Sequence, residues 1–180
     1  MRWPLLLLLC ALLVAEDVHP LVPGLTIATP PGWTAAQGEA GSLVLRAPAE
    51  AAPAGETAEQ AAARRRASAA IAVAIDGDVR TADAKAVMDA SLTKLARLVP
   101  DFAIVEPAEE IVLHGRRWQR ARYRFATGEV VWAQLLLAGA GPTGGICITC
   151  STTAEAYPRW EAVFTAALAT VGRQASRLTP

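Results

Sequence analysis

An α+β domain is predicted, its mainly antiparallel sheet covered by helices on both faces. Three observations carry this. Strand-like segments outnumber helical ones and are joined by short glycine turns, as in Gly115 and Thr127-Gly128. Two segments have apolar residues at helical spacing, one mid-chain and one at the C-terminus. The two long hairpin strands are apolar on both faces, which a sheet open to water on one side would not need.

The 180 residues allow one domain with a single core. A hydrophobic fraction of 53% and a charged fraction of 19% belong to a folded chain. Formal net charge is zero, so no global field recruits nucleic acid or an anionic membrane.

The N-terminus reads MRWPLLLLLCALLVAED. Arg2 precedes an apolar run from Leu5 to Ala15, and Glu16-Asp17 follow, the layout of a secretory signal over residues 1–15. The run is shorter than the ~20 residues of a membrane-spanning helix. Cleavage near Ala15 and export to the periplasm or exterior are expected; the alternative is a retained N-terminal helix in the cytoplasm. A lipoprotein reading of Cys10 is disfavoured by the bulky Leu9 before it.

Residues 16–24 read as a linker, since Pro20 and Pro23 discourage regular structure. The domain is expected over 25–171, with 172–180 as a tail. Leu25–Thr29 and Ser42–Arg46 are strand candidates, the first closed by Pro30-Pro31-Gly32 and Trp33. Residues 47–66 are alanine-rich and low in large apolar side chains, so they read as a surface insertion with a helical turn or two after Thr57. Ala70–Ile75 is a strand closed by Asp76-Gly77-Asp78.

The clearest helix follows, with Ala84, Val87, Met88, Leu92, Leu95 and Leu98 on one stripe, Thr81 as N-cap and Pro100 as terminator. Strands are expected at Ala103–Val105, Glu109–His114, Arg117–Phe125, Val130–Ala138 and Ile146–Ser151. A last helix has Pro158 near its start and Val163, Phe164, Ala167, Leu168 and Val171 on one face. Alternation puts Ala121, Tyr123 and Phe125 on one side with Val130, Trp132, Gln134 and Leu136. Trp118, Arg120, Arg122 and Arg124 share the other side with Val131, Ala133, Leu135 and Leu137.

Several features together resemble the PsbP-like and DcrB-related superfamily. They are Pro31-Gly32-Trp33 after the first strand, Leu98-Val-Pro-Asp-Phe102 ending the long helix, and the Gly115 hairpin before Arg122-Tyr123-Arg124-Phe125. The Cys150-bearing strand that feeds the last helix completes the set. The resemblance covers roughly Leu25 to Val171. It implies an α/β/α sandwich, no shared catalytic residue set, and roles as exported, envelope-associated or accessory proteins. Some cytosolic relatives chaperone apolar segments of secreted proteins. The 47–66 insertion departs from the pattern, as do Ala69-Ala70, where many relatives carry an asparagine.

No residues form a recognisable catalytic set. His19 and His114 have no neighbouring ligand at metal spacing, so no metal and no cofactor are expected. No G-x-S-x-G elbow or phosphate-binding glycine loop is present. Glu109-Glu110 face opposite sides of a strand and cannot share a proton. Five arginines between Arg116 and Arg124, with no acid from Ile111 to Gly128, offer one candidate partner-binding surface: Trp118, Arg120, Arg122 and Arg124. The competing reading has the arginine stems covering apolar surface and their heads paired with Glu109, Glu129 or helix carboxylates. Arg64-Arg65-Arg66 reads as a solvated face.

Cys147 and Cys150, spaced C-x-x-C, lie in a predicted strand with side chains pointing to opposite faces. Three strand steps separate them by roughly 10 Å, beyond the ~7 Å Cα spacing that a disulfide tolerates. Two unbridged thiols are expected, with Cys150 buried. The sequence thus points to a non-catalytic exported module that binds an unidentified protein at the envelope. It is not expected to be an enzyme, to bind nucleic acid or to span a membrane stably. A cytosolic chaperone of the same fold and a thiol-redox protein using Cys147 and Cys150 are the alternatives.

Overall fold

The computed structural model describes residues 17–22, 25–38 and 42–172. The expected signal at 1–15 and residues 173–180 of the expected tail lie outside the described residues. Twelve elements follow in order: β1 (Val18–Val22), β2 (Leu25–Ala28), β3 (Thr34–Gln37), β4 (Leu43–Arg46), α1 (Ala58–Arg66), β5 (Ala70–Asp76), α2 (Ala84–Leu98), β6 (Ala103–Leu113), β7 (Arg116–Thr127), β8 (Val130–Ala140), β9 (Gly145–Thr153) and α3 (Tyr157–Ala169).

β3 to β9 form one antiparallel sheet of seven strands, ordered β3-β4-β5-β9-β8-β7-β6. β1 and β2 make a separate hairpin. Two apolar clusters lie on opposite faces of the sheet. One gathers Phe164, Ala167 and Leu168 of α3 and Leu25 and Ile27 of β2 onto Leu135, Leu137, Ile148 and Cys150. The other gathers Val87 and Met88 of α2 onto Ala121, Tyr123, Leu136 and Ala138. The sheet therefore has helices on both faces, the architecture the sequence predicts.

The long strands alternate as expected: Tyr123 pairs with Gln134 and Phe125 with Trp132. The hairpin turn is Gly128-Glu129 rather than Thr127-Gly128, because Thr127 pairs with Val130. That displacement moves partners by two residues, an even step, so every side chain keeps its face. The other tight turn holds His114 and Gly115 in the left-handed region, at φ 47° and 78°.

The structure differs from the sequence reading at six points. The linker 16–24 contains β1, whose Pro20 pairs with Thr26 in a two-stranded ribbon with room for a missing donor. The first expected strand, Leu25–Thr29, becomes β2 of this hairpin and lies outside the main sheet. β3, reading TAAQ, carries no apolar alternation, and all four residues are exposed at the sheet edge. The two strands expected at 103–105 and 109–114 are one strand, β6, whose pairing slips on either side of Glu106 around Pro107. Asp83, not Thr81, caps α2: its carboxylate accepts from the Lys85 amide at 2.9 Å. Leu98 ends the predicted stripe but is 69% exposed.

The insertion at 47–66 carries α1, two and a half turns long, with Thr57 as N-cap in a capping box with Gln60. No residue of α1 is buried. The helix is moored by polar contacts instead: the Arg64 guanidinium donates to Glu56 at 2.8 and 3.0 Å and to the Glu50 carbonyl.

Trp118 depends on a glycine across the hairpin. A Cβ on Gly139 would come within 2.5 Å of the Trp118 ring. Gly139→Ala is therefore expected to destabilise the protein by about 1–3 kcal/mol in urea unfolding, and Trp118→Phe in the same chain to recover part of that loss. Unchanged stability of the single variant would show that the ring is not fixed there.

Candidate functional site

The residues predicted to meet a partner do not form one surface. Trp118 is 1% exposed and packs among the α3-side cluster, with the Arg116 guanidinium 5.8 Å over its ring. A docking anchor must present its ring, so Trp118 is corrected to a core residue. Arg120 pairs with Glu109. Arg122 reaches Glu106 at 2.7 Å and Glu161 at 3.7 Å, and lies 5.1 Å over the Tyr157 ring. Arg122 thus ties β7 to β6 and to α3. Only Arg124 of the four is exposed without an ion pair among the described residues. Arginines facing carboxylates on a neighbouring strand and helix are the pattern of cross-strand pairing.

A different surface has the features of a binding site. α2 packs on β7 and β8 and reaches only to β6 and β9. Beyond it the same face of the sheet is floored by Ala72 and Ala74 of β5, and Thr149 and Ser151 of β9. A groove of about 490 Å³ runs there, lined by Ile75, Asp76, Ser91, Lys94, Leu98, Tyr123, Gln134, Cys147 and Thr149, among others. Leu98, on its rim, is 69% exposed.

The polar groups of the groove hold one another in place. The Tyr123 hydroxyl donates to Gln134 Oε1, and Gln134 Nε2 donates to Ser151 Oγ at 2.7 Å. This row crosses three adjacent strands because Tyr123, Gln134 and Ser151 are paired in register. Lys94 reaches Asp76 at 3.4 Å. Ser91 Oγ donates to the Val87 carbonyl at 2.8 Å, so the Cys147 thiol, 3.3 Å away, is left to donate to Ser91.

No family model and no curated protein matches this sequence. Solved structures do. The fold is similar to the crystal structure of PA94, a protein of unknown function from Pseudomonas aeruginosa, with a TM-score of 0.58 at 15% identity. That match covers 86% of this chain and 94% of the other. It is also similar to the solution structure of the cyanobacterial PsbP, CyanoP, from Synechocystis sp. PCC 6803, with a TM-score of 0.57 at 15% identity. Here 89% of this chain and 94% of CyanoP are covered. The chain has the PsbP-like fold.

Within this PsbP-like fold the C-x-x-C spacing makes no redox pair. Cys147 and Cys150 are both free thiols. Cys147 borders the α2-side cluster and Cys150 is fully buried in the α3-side one. Thiol oxidoreductases place the reactive cysteine at a helix N-terminus, where its thiolate is stabilised. Here burial pushes both thiols up, Cys150 strongly. Burial likewise raises the Tyr123 phenol, with Cys147 adding to it. Among the described residues no cluster of three metal-ligating side chains occurs, and no helix is long and apolar enough to cross a membrane.

The sequence located Cys147 and Gln134 on the correct faces but could not mark them as groove residues. Their alternation was legible; the reach of α2 across the sheet was not.

Both thiols are neutral in the folded protein to a higher pH than in the unfolded chain. The stability this confers is complete below the unfolded value of about 8.5 and is lost as pH rises past it toward the folded values. The urea midpoint is expected to fall above about pH 8.5, and to fall less steeply in Cys150→Ala. Equal slopes would contradict the burial of Cys150. In native protein Cys147 should react with a thiol reagent before Cys150, which reacts only on unfolding.

Proposed function

We propose that this protein is a non-catalytic exported module that binds a protein partner at the cell envelope. The open half of the α2-side sheet face is the observation that supports this most. It joins exposed Leu98 to a floor of small side chains and a fixed row of polar ones. An exposed apolar group beside convergent hydrogen-bonding groups suits a partner segment laid across the sheet. The secretory layout of residues 1–15 and the PsbP-like fold support the export part of the reading.

The test is affinity capture by the mature chain from its own envelope fraction, with its N-terminus determined by mass spectrometry. Cleavage near Ala15 and capture of a defined partner are expected. Thr149→Arg, which fills the groove floor without entering the core, should weaken that capture roughly tenfold, about 1.4 kcal/mol, and leave the unfolding midpoint unchanged. A soluble cytosolic protein with Leu5–Ala15 intact would overturn export and favour the chaperone reading. Capture indifferent to Thr149→Arg would overturn the groove.

A further inference from the structure

We infer that a second cleft, at the end of the sheet beneath α1, is a binding site for a small molecule that joins an oxyanion to a flat apolar body. The cleft holds about 330 Å³, within the range of ligand pockets. Its walls come from β4, the insertion, β8 and α3, and they bring Arg46, Arg65 and Arg66 together with the rings of Trp132 and Trp160. This inference does not rest on the protein-binding role of the groove.

The charge in the cleft is uncompensated. Glu50 lines the cleft but is paired with Arg159, and Glu56, outside the lining, is paired with Arg64. Arg46, Arg65 and Arg66 have no ion pair or hydrogen-bonded carboxylate among the described residues. Arg65 lends only a weaker through-space attraction to Glu56. Three arginines lining one cavity without an ion pair match a carboxylate or phosphate, which guanidiniums can hold through paired N–H donors.

The Trp160 ring of the cleft is fixed before any ligand arrives. Trp160 Nε1 donates to the Ala67 carbonyl at 3.2 Å, its ring meets Trp33 edge-on at 5.6 Å, and Arg159 lies 5.0 Å over it. Arg64 anchors α1 to Glu56 and to the Glu50 backbone, and Arg65 and Arg66 of the same helix line the cavity. Aromatic and cationic side chains lining one cleft select a planar anion over a bare one.

Isothermal titration of the mature protein with naphthoate, and with naphthalenemethanol as its neutral counterpart, tests the site. Naphthoate should bind, at least about tenfold more tightly than the alcohol, and more weakly as salt is raised. Arg46→Gln and the double variant Arg65→Gln/Arg66→Gln should each weaken naphthoate about tenfold, and Arg80→Gln should not. Arg46 lies on β4, outside α1, so its variant reports on the site even if the double variant loosens the helix. Failure of naphthoate to bind, equal binding of the alcohol, indifference to Arg46→Gln, or binding of an oligoglutamate peptide alone would each overturn the inference.

Discussion

The antiparallel register of β7, β8 and β9 is the constraint on which the rest of the molecule depends. Leu135 pairs with Cys150 and Leu137 with Ile148, so all four face α3. Their chain neighbours Leu136, Ala138 and Cys147 face α2. A shift of one residue in β9 would exchange its contributions to the two cores. The same register lines up Tyr123, Gln134 and Ser151 for their hydrogen-bonded row and sets Trp118 against the space left by Gly139. One pairing thus determines both cores and the polar floor of the groove.

The open groove follows from dimensions. Seven strands at ~4.8 Å spacing make a sheet about 29 Å wide. A single helix, about 10 Å across, covers two or three strands. On the α3 side the β1–β2 hairpin packs beside the helix and extends the cover. On the α2 side no second element joins the helix among the described residues, and β5 with its neighbours is left with small and polar side chains. Ala72, Ala74, Thr149 and Ser151 cost little when solvated, which is why this half can stay open without destabilising the fold.

Alternation made most of the sheet legible. RRWQRARYRFA and VVWAQLLLA declared their faces by side-chain type alone, and α2 and α3 declared themselves by helical spacing. The failures have physical causes. TAAQ is an exposed edge strand with no apolar face to display, and VHPLV hides its strand behind a proline that a two-stranded ribbon tolerates. Trp118 sits among arginines in the sequence, yet a glycine 21 positions later opens the pocket that buries it. The arginine strip was misleading for the same reason: its carboxylates come from β6 and α3, and only tertiary pairing brings them within reach. Neither the groove nor the cleft under α1 could be read, because each is bounded by elements distant in the chain.

Site-specific photocrosslinking in the native envelope tests the binding surface most directly. A photoreactive residue at position 149, on the open floor, should yield a discrete adduct with one partner. The same residue at position 124, on the arginine strip, should yield none. Adducts from position 124 alone, or equal adducts from both, would place binding elsewhere and contradict the role given to the uncovered half of the sheet.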